Sequence, residues 1–150
     1  MNARHARAVG VCAALALLGG GCGSSGPNFA AQVSAAVPVL TQLNNSVADA
    51  LGSAPGKTDA VIEAQFTSLS KQFDQELARL APLTPPRADA TSFATLTNGL
   101  RAVRSDLTAI AAAAHKHSVA DARNATLGLL PATAKLRGAT GALAGELHLH

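Results

Sequence analysis

Two pairs of histidines carry the most versatile side chains of this chain. His115 and His117 flank one lysine, and His148 and His150 flank one leucine. Imidazole is a common metal ligand and titrates near neutral pH, so four of them raise the question of zinc, copper or haem. Spacing argues against one shared site. A helix over residues 119–148 would be about 45 Å long at 1.5 Å per residue, which puts the two pairs at opposite poles. Within a pair, helical neighbours two apart face different directions and chelate poorly unless the backbone is irregular. Haem lacks a Cys-x-x-Cys-His attachment motif, and the only methionine is Met1. The expectation is no cofactor and no metal, with histidines complementing helix dipoles at C-termini. A weak or intermolecular metal site at His115 and His117 is the alternative.

Hydrolytic chemistry has little to stand on. The carboxylates mostly fall away from the apolar positions and read as solvated faces. Glu76 is the exception, because it occupies an apolar seam position. A carboxylate turned into a core has its charged form disfavoured and becomes a candidate general acid. The preferred reading is a small rotation that brings Leu77 inside and leaves Glu76 on the rim. No Gly-x-Ser-x-Gly, His-Glu-x-x-His or phosphate-binding glycine loop occurs. No serine has an identifiable activating base. Arg101 and Arg104, three apart on a helix face, could grip an anion, but they read better as a solubilising surface. No catalytic residue is assigned, and the expectation is a protein that is not an enzyme.

The elements that must position these residues are helices. Ala and Leu dominate, while β-branched and aromatic residues are scarce. Phe29, Val33, Ala36, Leu40, Leu43, Val47 and Ala50 recur in steps of three and four. So do Ile62, Phe66, Leu69, Phe73, Glu76 and Leu80, and then Phe93, Leu96, Leu100, Val103, Leu107, Ile110 and Ala114. A looser fourth seam joins Ala122, Thr126, Leu129, Thr133, Leu136, Thr140, Leu143 and Leu147. Such repeats give each helix one apolar stripe. Asn28 and Thr58 or Asp59 are N-cap candidates. Breakers at Gly52–Gly56 and Pro82–Pro86 separate the first three helices. Ser118 and Asp121 fit a capping box, which places a tight turn near His115–Ser118; a continuous helix there is the competing reading. Pro38 and Pro131 lie inside helices and predict a kink or break at each. Short connections make sequential helices antiparallel, so the expected fold is an all-α, up-down-up-down four-helix bundle over residues 28–150. Gly138, Gly141 and Gly145 suggest tight packing of the last helix.

The amino-terminal segment reads differently. Arg4 and Arg7 precede an apolar stretch from Ala8 to Leu18, followed by Gly19, Gly20, Gly21 and Cys22. A basic start, a short apolar centre and small residues at the exit form an export signal. Residues 8–21 are too few to cross a bilayer, which takes about 20 apolar residues. The segment Leu18-Gly-Gly-Gly-Cys22 resembles the lipobox of bacterial lipoproteins, with Leu18 one place further from the cysteine than that family prefers. The resemblance covers residues 1–22 only. It implies removal of residues 1–21 and acylation of Cys22 with diacylglycerol and a fatty acid such as palmitate. Cys12, preceded by bulky Val11, is the poorer candidate. One chain holds a protein to a membrane only marginally, whereas two or three on one residue hold firmly. Residues 22–27 then form a flexible tether.

Removal of the leader leaves 129 residues, enough for one domain. Of 12 Lys and Arg, two leave with it, so 10 remain against 9 acids and the net charge is +1. That balance supplies no basic footprint for nucleic acid, and without Trp or Tyr no usual stacking platform exists. The expected protein is an exported lipoprotein of the cell membrane or outer envelope. Its bundle would face away from the membrane and bind an envelope protein or a small ligand, or serve structurally.

Overall fold

The computed structural model describes residues 28–149, so the leader, Cys22, the tether and His150 lie outside the described residues. Four helices follow one another: α1 (Asn28–Ser53), α2 (Asp59–Leu80), α3 (Ala90–His115) and α4 (Val119–Glu146). Among the described residues there is no strand. Each helix packs along two neighbours, in the ring α1–α2–α3–α4, and the backbones of the diagonal pairs stay apart. This is the up-down-up-down bundle that short connections impose.

Its core is the set of seams legible in the spacing. All seven seam residues of α1 and all seven of α3 are buried. Leu40, Leu69, Leu107 and Leu136, one from each helix, are at most 6% exposed. A phenylalanine pair closes one end, with the rings of Phe29 and Phe93 in edge-to-face contact at 5.3 Å. At the same end Ser92 of α3 donates to Glu146 of α4 at 2.8 Å. The starts of α1 and α3 and the finish of α4 therefore share one pole.

The fourth seam is built differently from its expected outline. Leu129, Leu136, Thr140 and Leu143 are buried, joined by Ala132 and Ala139, while Ala122, Thr126, Thr133 and Leu147 are only half-buried. Threonines are admitted because each hydroxyl donates to a carbonyl one turn back. The bonds are Thr126 to Ala122 at 2.8 Å, Thr133 to Leu129 at 3.0 Å and Thr140 to Leu136 at 2.9 Å. A polar atom so satisfied costs little to bury.

The prolines break neither helix. α1 runs through Pro38 and α4 through Pro131. Both rings are exposed, as are Ser34 and Leu127 one turn before them. The carbonyls that lose a partner thus lie where water can reach them. α1 is continuous from Asn28 through Pro38. Asn28 is the first residue of α1 rather than a flanking cap, and the helix passes Gly52 to end at Ser53.

The glycines of α4 correct another expectation. A Cβ placed on Gly138, Gly141 or Gly145 would meet nothing within 4 Å, so these residues pack against no neighbour. The glycines that face a neighbouring helix are Gly99 of α3 and Gly128 of α4. A Cβ on Gly99 would lie 3.4 Å from the Cα of Leu136, and one on Gly128 would lie 3.3 Å from Asp106 Oδ1.

Candidate functional site

The tight turn between α3 and α4 organises the first histidine pair. His117 takes a left-handed conformation with φ of 54°, a region that histidine enters more readily than most residues. Its N–H donates to Ala114 O at 3.0 Å, and the N–H of Ser118 donates to Ala113 O at 2.9 Å. These two bonds form a Schellman ending for α3. Ser118 then caps α4 by accepting from the Asp121 N–H at 3.3 Å. Only this half of the capping box forms. The return bond from Asp121 has no donor to use, because the Ser118 N–H is already committed to Ala113. The same ending recurs at the other pole. His148 has φ of 53°, its N–H donates to Gly145 O at 3.1 Å, and the Leu149 N–H donates to Ala144 O at 2.9 Å.

Because α2 starts where α3 ends, two carboxylates one turn apart on α2 meet the two imidazoles. His115 Nδ1 lies 3.2 Å from Glu63 Oε1, and His117 Nδ1 lies 2.6 Å from Asp59 Oδ2. Both imidazoles are mostly exposed. The arrangement is two parallel pairs, each able to hold a proton or form an ion pair when its histidine is protonated. It is not a shared chelate. Among the described residues no group of three or more histidine, cysteine or acidic side chains is placed to hold a metal ion. His148 stands at the opposite pole, at the end of α4, and His150 lies outside the described residues. The sequence marks Asp59 only as a cap candidate for α2, and neither it nor Glu63 as a partner of a histidine. Their four-residue spacing at the start of α2 is the only signal that could have marked them.

Glu76 reverses its expected placement. It is 6% exposed, while Leu77 is only half-buried. Its two oxygens accept from Arg79 Nη1 at 3.0 and 3.2 Å. The guanidinium neutralises the carboxylate, and Arg79 stays half-exposed so that its charge keeps contact with water. A helix has the option of burying such a residue when its partner lies three positions on and reaches the surface. Arg101 and Arg104 do not act together: Arg101 donates to Asn98 Oδ1 at 2.9 Å, and Arg104 pairs with Asp74 of α2 at 2.7 Å.

Two further polar groups stand out. Asp106 carries its carboxyl above the ordinary range because burial disfavours the charged form. Asn44 of α1 is 5% exposed, and its Oδ1 is buried without a hydrogen-bond partner. It borders a cleft of about 210 Å³ between α1 and α4, together with Thr41, Arg137, Thr140 and Gly141. That oxygen, with both lone pairs free, can accept from a donor. A larger apolar groove of about 420 Å³ lies between α3 and α4. Neither cleft is lined by Glu76.

Fold and side chains thus define a helical bundle with two surface histidine–carboxylate pairs and a paired buried glutamate. No protein-family model, curated protein or solved structure matches the chain.

Proposed function

We propose that the protein is a lipid-anchored envelope lipoprotein whose four-helix bundle is a binding or structural module held at a membrane surface. The observation that carries this reading is the run from Arg4 to Cys22, a basic start and short apolar centre ending in Leu-Gly-Gly-Gly-Cys. Two facts about the described residues support it. The bundle encloses its own core, beginning six residues after Cys22. No helix among the described residues is long and apolar enough to cross a membrane, so attachment falls to the acylated cysteine, where several chains on one residue hold firmly. The anchor concentrates the bundle near the bilayer and leaves its surface to make contacts.

The test is to express the wild-type chain and a Cys22→Ala variant in a bacterium supplied with a clickable fatty acid. The wild type takes up the label and sediments with membranes. The variant takes up none. An equally labelled, equally membrane-bound variant would refute the proposal.

A further inference from the structure

Helix α4 presents a second apolar face, directed outward. From Leu127 to Gly145 its exposed residues are Leu127, Gly128, Leu130, Pro131, Ala134, Gly138, Gly141, Ala142 and Gly145, and the only exposed polar side chains are Lys135 and Arg137. Leu127 is 60% exposed and Leu130 55%. At 1.5 Å per residue this face is about 27 Å long. It continues sideways into the apolar groove between α3 and α4, whose walls include Gly99, Ala102, Ala132 and Gly138. Solvated helix faces normally carry charge, and α2, which lies diagonally across the bundle, does so with Asp59, Glu63, Lys71, Asp74 and Arg79.

We propose that the outer face of α4 is a membrane-contact surface, so that the bundle lies on its side against an anionic lipid interface rather than facing away from it. The inference rests on the lipoprotein reading for its geometry. Residues 22–27 can span at most about 20 Å and join α1 at the pole where α4 finishes, marked by the Phe29–Phe93 contact and the Ser92–Glu146 bond. An anchor at Cys22 therefore pins the foot of this face close to the bilayer. Charge selects the occupant. Lys135 and Arg137 flank the apolar strip, Arg123 lies beyond it, and no acid occurs on α4 between Asp121 and Glu146. A second copy docked through the same strip would set these bases against their own equivalents. Anionic headgroups would receive them, while Leu127, Leu130 and Pro131 enter the acyl boundary. Each base near such a surface is worth about fivefold in partition.

The experiment uses the full chain purified from bacterial membranes, with the mass of its amino-terminal peptide recorded. A single cysteine replaces Ala134 on α4 or Ala64 on α2 and carries an environment-sensitive fluorophore. The protein is placed in vesicles of phosphatidylglycerol and phosphatidylcholine containing a nitroxide lipid. The expected result is strong quenching at position 134 and little at position 64. Combining Lys135→Glu with Arg137→Glu should reduce the quenching at 134 by tenfold or more, at about fivefold for each base removed. Equal quenching at both positions, or none at 134 in a chain whose mass shows lipid on Cys22, overturns the proposal and leaves the anchor intact. A chain without lipid refutes the anchor separately; the α4 surface then stands or falls on whether vesicles still quench position 134. Disulfide trapping between two copies of the unlabelled Ala134→Cys chain, with no quenching of the labelled one, also overturns it.

Discussion

His117 Nδ1 lies 2.6 Å from Asp59 Oδ2, so the left-handed residue that ends α3 touches the first residue of α2. The contact closes one pole of the bundle, yet both side chains are largely exposed, and such pairs contribute about 0–1 kcal/mol. The backbone matters more. A left-handed residue with a side chain costs about 1 kcal/mol or more relative to glycine. His117→Gly should therefore leave stability within about 1 kcal/mol of wild type, because the relieved backbone offsets the lost pair. His117→Val should lower it by about 1–2 kcal/mol, since a β-branched residue fits this region worst. Urea unfolding measures both. A glycine variant less stable than the valine variant would contradict this account of the turn.

Glu76 and Arg79 make a different case, because the carboxylate is buried and the guanidinium is not. Arg79→Ala strands a buried charge and should cost about 1–3 kcal/mol. Glu76→Leu removes the charge and keeps the volume, and should be neutral or stabilising. Thermal unfolding of the two variants should place Glu76→Leu above Arg79→Ala. The reverse order would mean that the carboxylate has a role beyond its pairing with Arg79.

At the α3–α4 contact, a Cβ on Gly99 would sit at ordinary contact distance from Leu136. Gly99→Ala should stabilise by about 0.5–1 kcal/mol through helix propensity. Gly99→Leu should destabilise by about 1–3 kcal/mol, because the extra atoms have to displace Leu136. Denaturant midpoints distinguish the two, and loss of stability in the alanine variant would show that the helices cannot yield at that point.

Asp106 gives the bundle a pH dependence of known sign. Its folded-state pKa is raised by burial, so the folded chain binds the proton more tightly than the unfolded one. Its contribution to stability is fully present below the ordinary carboxylate range and is lost as pH rises through the raised value. Asp106→Asn should be more stable than wild type at neutral pH, with the advantage disappearing in acid. An advantage that grew in acid would reverse the assigned sign.

The legible part of this fold was whatever repeats locally. In α1 and α3 the seam residues fall every three or four places and every one of them is buried, while Val37, Val39 and Leu51 of α1 lie off the seam and are half-buried. In α4 the pattern blurs, because threonines satisfied by their own helix share the seam with alanines, and two leucines of the same helix, Leu127 and Leu130, point outward. Side-chain type alone does not say which leucine faces the core when both faces are apolar. Glycine is ambiguous for the same reason: Gly99 meets a neighbour and Gly138 does not. The pairing of His115 with Glu63 and of His117 with Asp59 depends on the antiparallel register of α2 and α3, which joins residues more than fifty places apart. Glu76 was visible as an anomaly, but its burial turns on Arg79 reaching it from the surface.

The central claim is a lipid on one cysteine, and intact-mass spectrometry of the protein extracted from bacterial membranes tests it most directly. The account expects a chain beginning at Cys22 and carrying the mass of diacylglycerol, with or without a further acyl group. A membrane-extracted chain that retains residues 1–21, or that begins at an unmodified residue, would contradict it.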